Sequence, residues 1–144
     1  MKQLGIAIAI ASHEFRHRLD KGGQPYTLHL LRVWEGVKNE SVEVQCAAWL
    51  HDLVEDFPEV WTLQRLRTNG FSEDTIRMVQ LLTHNPEESY DLYIQRISLN
   101  AGATLVKLSD LRDNSDITRL KGLTKKDLNR LEKYFRAYTY LSKI

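Results

Sequence analysis

His51, Asp52, Glu55 and Asp56 lie together in the run Leu50-His51-Asp52-Leu53-Val54-Glu55-Asp56, among side chains that are otherwise apolar. Read as a continuous helix, with about 100° between residues, the four fall within an arc of roughly 140°. Trp49, Leu50, Leu53, Val54 and Phe57 take the opposite arc. The preceding Val44, Cys46, Ala47, Ala48 and Trp49 are apolar nearly all round, the pattern of a central helix. Ionised carboxylates beside an imidazole in such a place are costly unless something cationic holds them. A bound metal ion is the simplest answer.

An ion needs further ligands, and two other segments offer them. Pro25-Tyr26-Thr27-Leu28-His29 leads into a periodic apolar stretch and puts His29 in a first helical turn. Downstream, Leu105 to Asn114 is apolar except where Lys107, Asp110 and Asn114 recur at i, i+3 and i+7, on one helix face. His29, His51, Asp52 and Asp110 supply two nitrogens and at least two oxygens. That mixed set leaves room for water on a six-coordinate ion, which suits Mn2+ or Fe2+ better than Zn2+. Bound there, the ion would lower the pKa of a water it holds. Glu55 and Asp56, each one turn from a ligand, would be placed for acid/base work. His13, His17 and His84 lack such companions and read as surface or satisfied polar groups.

The elements that must carry these groups all read as helices. Residues 3–18 form the first, ended by Gly22-Gly23 and Pro25. Residues 27–38 and 42–57 make a helical pair, the second capped by Ser41. Residues 60–68 form a short helix stopped by Asn69-Gly70, and Ser72 caps another over 73–84. Asn85-Pro86 opens a helix to about residue 100, with Tyr90, Tyr93, Ile94 and Ile97 as its stripe. Gly102 interrupts lightly before the Asp110 helix. Thr124-Lys125-Lys126-Asp127 has the form of a capping box before a last helix to Leu141. With no alternating strand pattern, the expected fold class is all-α, a single compact helical bundle spanning 1–144.

His29, the His51-Asp52 doublet and Asp110 stand in the order and spacing of the HD-domain metal-dependent phosphohydrolases. Gly23-Gln24-Pro25-Tyr26 before His29, Glu55-Asp56 after the doublet, and Val106-Lys107-Leu108-Ser109-Asp110 with Asn114 resemble the hydrolase domain of the RelA/SpoT alarmone enzymes. The likeness is greatest to the stand-alone small alarmone hydrolases. It implies an HD-domain bundle and a manganese-dependent guanosine-3′,5′-bis(diphosphate) 3′-pyrophosphohydrolase acting on (p)ppGpp, the stringent-response nucleotide, or on an adenosine analogue. It also implies that His29, His51, Asp52 and Asp110 bind Mn2+, with Fe2+, Zn2+ or another divalent ion as alternatives. Glu55 and Asp56 are then catalytic, and Asn114 lies near the nucleotide. Lys21, after the turn that ends the first helix, and Lys107, on the Asp110 face, can flank the metal site and meet the substrate's phosphates. The likeness has departures. Phe15-Arg16-His17-Arg18 replaces a His-x-Gly-Gln-like start, Asp20 occupies the place of a basic residue beside Lys21, and Leu30 stands where proline often follows the histidine.

Composition narrows the remaining choices. At 144 residues with a formal net charge of +1 the chain suits one domain and carries no broad basic surface for nucleic acid or a membrane. The partner to expect is a small nucleotide, and nothing in the residues sets an oligomeric state. Arg16, Arg18 and Lys21, and Lys107, Arg112, Arg119 and Lys121, form local basic clusters that can meet phosphates. Tyr134 and Tyr138, at i and i+4, can stack on a base or pack in the core. Cys46 is the only cysteine, which fits a reducing cytoplasm, and its apolar setting reads as core. Lys2 followed by Leu4 to Ala11 faintly imitates a leader but reads better as a first core helix. Two other functions stay open: an HD-domain phosphatase for another nucleotide or phosphorylated metabolite, and a non-catalytic nucleotide-sensing or protein-binding module.

Overall fold

The computed structural model describes residues 2–143. In chain order the helices are α1 (Lys2–Glu14), α2 (Tyr26–Glu35), α3 (Val42–Leu50), α4 (Leu53–Asp56), α5 (Leu63–Thr68), α6 (Glu73–Leu82), α7 (Tyr90–Ile97), α8 (Ala101–Asn114) and α9 (Lys125–Ser142), with a 3-10 turn at Ile117–Arg119 before the last. Strand-like pairing among the described residues is limited to one antiparallel bridge, between Leu19 and Pro25. The all-α expectation holds.

Short polar caps set most helix starts. Ser41, Ser72, Ser89 and Asn100 each accept the amide three residues on, and Thr124 with Asp127 closes a reciprocal capping box. Each such cap contributes about 1 kcal/mol. Every residue of α3 from Val44 to Leu50 is buried. Helices α1, α2, α6 and α8 surround it, and α9 lies across α8. The inner face of this arrangement is the core, from Phe15, Leu30 and Val33 through Leu50 and Leu53 to Val106 and Leu111.

Several boundaries depart from the sequence reading. The 3–18 helix stops at Glu14, and the chain then tightens into the loop closed by the Leu19–Pro25 bridge. Pro86 does not open a helix: α7 begins only at Tyr90, capped by Ser89. Gly102 lies inside α8 rather than before it. A Cβ there would run into Met78 Sδ and lie 3.1 Å from Val44 Cγ2, so the glycine lets α8 close on α6 and α3.

The departure that matters most for chemistry divides the expected 42–57 helix. α3 ends at Leu50 and α4 starts at Leu53, with His51 and Asp52 between them. The His51 ring donates from Nδ1 to the carbonyl of Ala48, 2.7 Å away, occupying the acceptor that the Asp52 amide would use in an unbroken helix. Asp52 settles at φ −103°, ψ −1°. Neighbouring residues on an ideal helix point about 100° apart. At the break the two side chains of the doublet nonetheless converge, with Asp52 Oδ2 3.1 Å from His51 Nε2.

Candidate metal centre

Three elements bring the four expected ligands together. His29 comes from the first turn of α2, as expected, His51 and Asp52 from the α3–α4 break, and Asp110 from α8. One ligand atom each from His29, His51 and Asp52 lies within 4.8 Å of the others. Asp110 Oδ1 adds a fourth, 3.1 Å from His29 Nε2 and 3.3 Å from His51 Nε2. Asp52 Oδ2 is 3.1 Å from His51 Nε2 and 3.9 Å from His29 Nε2. Both imidazoles are 2% exposed.

The groups behind the rings fix which nitrogen faces inward. His29 donates from Nδ1 to Asp113 Oδ2 at 2.6 Å, and His51 donates from Nδ1 to the Ala48 carbonyl. Both Nε2 atoms are therefore turned to the same small space, the arrangement metal-binding histidines adopt. His29 Nε2 is buried there without a hydrogen-bond partner. An orphaned imidazole nitrogen among two carboxylates and a second imidazole fits a divalent cation.

Charge around the centre is tightly balanced. Lys107 lies 2.9 Å from Asp110 Oδ2 and is itself buried, its ammonium over the Tyr93 ring. Burial alone would raise the Asp110 pKa, but Lys107 and His51 hold it well below the ordinary carboxylate range. Burial would lower the His51 pKa, and Asp52 and Asp110 reverse that and raise it well above its usual value. His29 is raised in the same way, against burial, by Asp110 and Asp113. The Tyr26 hydroxyl donates to Asp52 Oδ2, and its own pKa is driven up by burial and by the Asp52 charge.

Glu55 and Asp56 sit beside this cluster on α4. Glu55 accepts the His84 amide at 2.7 Å, and its pKa is raised, chiefly by desolvation. Desolvation and then the Asp52 charge push Asp56 up to about 6, with Arg18, 3.3 Å away, pulling the other way. Next to the centre opens a cleft of about 290 Å³ whose walls include Lys21, Tyr26, His29, Asn114, Arg130 and Tyr134. Of the three expected substrate contacts, Lys21 and Asn114 are on its walls, and Asn114 also donates to Asp110 Oδ1 at 3.0 Å. Lys107 is not on those walls, being committed to Asp110. Asp20, which would repel phosphate, is paired with Arg119 at 3.0 Å and accepts the Gly22 and Gln24 amides.

No protein-family model matches the chain, and no curated protein matches it. Among solved structures, a metazoan ortholog of SpoT, described as hydrolysing ppGpp and playing a role in starvation responses, gives a TM-score of 0.77 over 98% of this chain and 85% of its own, at 21% identity. The chain has that all-helical fold. It is the fold the HD-domain resemblance implied.

Sequence reasoning missed the residues that hold the ligands. Asp113 takes His29 Nδ1–H, Arg32 Nε–H at 2.6 Å and Arg119 at 3.3 Å. Its signal was present, since it stands one turn after Asp110 on the same helix. Tyr26 was part of the Pro25-Tyr26 element but carried no expected contact with Asp52. Arg119, one of the basic cluster expected to meet phosphates, lines the cleft but is paired with Asp20 and Asp113, and Arg130, also on the cleft, had no local pattern to mark it. Cys46 is buried, and burial pushes its thiol up to about 11, as suits a core residue. Among the described residues no helix is long and apolar enough to cross a membrane.

Proposed function

We propose that the chain acts as one hydrolase domain, a metal-dependent phosphohydrolase that removes the 3′-pyrophosphate from guanosine tetra- or pentaphosphate or a related nucleotide, with Mn2+ as the ion. The observation that carries this reading is the convergence of His29, His51, Asp52 and Asp110 beside a cleft walled by Lys21 and Asn114. When bound, the ion supplies positive charge that polarises a phosphoryl oxygen and makes water a better nucleophile near neutral pH. The remaining work belongs to the chain. Asp113 keeps His29 in the Nδ1–H tautomer, and Lys107 offsets the Asp110 charge. Asp56, whose carboxyl desolvation pushes up to about 6, takes a proton from the attacking water as general base, and Glu55 orients that water. Lys21 and Asn114 hold the phosphate chain in the cleft. The structural neighbour, named as hydrolysing ppGpp, supports the substrate class.

A second reading, a phosphatase for a nucleotide or metabolite with one phosphate group, is favoured by the cleft's own charges. Arg119 is paired with Asp20 and Arg130 with Asp127, which leaves Lys21 as the principal cation for a ligand. The deciding experiment is product release with Mn2+-loaded protein. Pyrophosphate from guanosine 3′,5′-bis(diphosphate), faster than phosphate from 3′- or 5′-mononucleotides, is the expected result. Brisk monophosphate hydrolysis without pyrophosphate release would establish the second reading instead.

A further inference from the structure

Glu55 sits on a helix of four residues and reaches solvent, so little of its own element fixes its carboxylate. What meets it is the backbone amide of His84, at 2.7 Å. That amide is free because α6 ends at Leu82 and Thr83 turns to φ −88°, ψ 113°, leaving the helix. A seven-residue connection, 83–89, would ordinarily be mobile. Here one side chain spans it. Arg96, in the last turn of α7, donates from Nη1 to the Leu81 carbonyl at 3.0 Å and from Nη2 to the Thr83 carbonyl at 3.3 Å. The same guanidinium forks onto Glu88, Nε to Oε2 at 2.9 Å and Nη2 to Oε1 at 2.8 Å. It thus grips the segment at both ends. Between them the His84 ring lies tilted against Tyr93, centroids 4.6 Å apart, and the Tyr93 hydroxyl donates to the Leu82 carbonyl at 2.7 Å.

We propose that Arg96 is a positioning residue for Glu55, holding the 83–89 segment so that the His84 amide meets the Glu55 carboxylate. This rests on the catalytic role given to Glu55 above. A planar fork with five donors is required to serve two carbonyls and a carboxylate at once, and an ammonium has neither the shape nor the reach. Arg96 touches nothing in the cleft, so its effect falls on the chemical step and not on nucleotide binding.

The test compares Arg96→Lys and Glu88→Gln with Glu55→Gln and with the Arg96→Lys/Glu55→Gln double variant, using the phosphoester that the release assay identifies. Arg96→Lys is expected to lower kcat about 10-fold or more with KM and Mn2+ affinity unchanged, because small misplacements of a reacting group have effects of this size. In the Glu55→Gln background the same change should alter kcat less than about 2-fold, since both act on one group. Hydrogen exchange gives a second reading without substrate: the His84 amide should exchange about 10-fold faster in Arg96→Lys and in Glu88→Gln, while amides of α3 and α8 keep their protection. Unchanged His84 exchange, or an equal kcat loss with and without Glu55, overturns the proposal. Normal turnover by Glu55→Gln alone overturns the role of Glu55 and the proposal with it. A full loss in Glu55→Gln beside a normal Arg96→Lys overturns only the positioning role.

Discussion

Replacing Asp113 by asparagine tests how the centre is built, because one atom's change separates two possible outcomes. Asp113 Oδ2 accepts from His29 Nδ1 and lies 3.3 Å from Arg119 Nη2 in an ion pair, and Oδ1 accepts from Arg32 Nε. An amide has one acceptor for these two sides. Turning its oxygen to Arg32 sets its NH2 against Arg119 and forces the His29 proton onto Nε2, where it would block the ligand position. Turning its oxygen to His29 leaves only Arg32 facing a donor, and the Arg32 side chain is 34% exposed and can swing to water. The second arrangement costs less, so His29 keeps its tautomer and loses only the charge of its acceptor. The difference between a hydrogen bond to a charged partner and a neutral one is about 1–1.5 kcal/mol, which weakens Mn2+ binding by about 10-fold. Asp113→Ala, which leaves the Nδ1–H with no partner, should reach about 100-fold. Calorimetric titration of metal-free protein with Mn2+ measures both, with thermal melting to confirm that each variant is folded. Folded variants that both bind Mn2+ within 2-fold of the parent would refute the reasoning. Asparagine as damaging as alanine, with a 15N signature of Nε2–H on His29, would show that the first arrangement wins.

Three further outcomes are expected. His51→Ala or Asp52→Ala should abolish Mn2+ binding in a titration, and unchanged affinity in both would remove the metal centre. Turnover should fall as pH drops through about 6, where Asp56 takes up its proton, and Arg18→Ala should move that limb to higher pH because the guanidinium holds the carboxyl down; a limb that stays put would show that another group is responsible. Folding raises the Asp56 pKa, so its contribution to stability is fullest below the ordinary carboxyl range and is lost as pH rises through about 6. Lys21→Ala should raise KM more than it lowers kcat, and the opposite split would place Lys21 in the chemical step rather than in binding.

Much of the fold was legible because local chemistry marks helix ends. Ser41, Ser72 and the Thr124–Asp127 box cap the helices expected of them. Pro86 misled, because proline suits a first helical turn and a loop equally, and the Ser89 cap decided between them only in three dimensions. Gly102 misled for the opposite reason: its cause is a neighbour 24 residues away, Met78, which no local pattern shows. The doublet was found by residue type, but the arc that united it with Glu55 and Asp56 assumed an unbroken helix. The Ala48 carbonyl, taken by a side chain, breaks it. The support beneath the ligands was the least visible part. Tyr26 and Asp113 stand on α2 and α8 and Arg119 in the 3-10 turn, and their value comes from partners far away in sequence or on another element.

The pairing of His29 with Asp113 also sets a timetable. The two lie 84 positions apart, an interval of about 4–17 seconds at the ~5–20 residues per second of protein synthesis. From position 52 to position 109, most of that window, the growing chain holds an imidazole pair and one aspartate but neither Asp110 nor the group that orients His29. Loading with an ion therefore belongs to the completed α8, after the earlier helices have already been made, and chains halted before position 110 should take up no Mn2+ tightly. Whatever ion is most available to the newly finished protein, rather than to the emerging one, is the ion this centre will meet first.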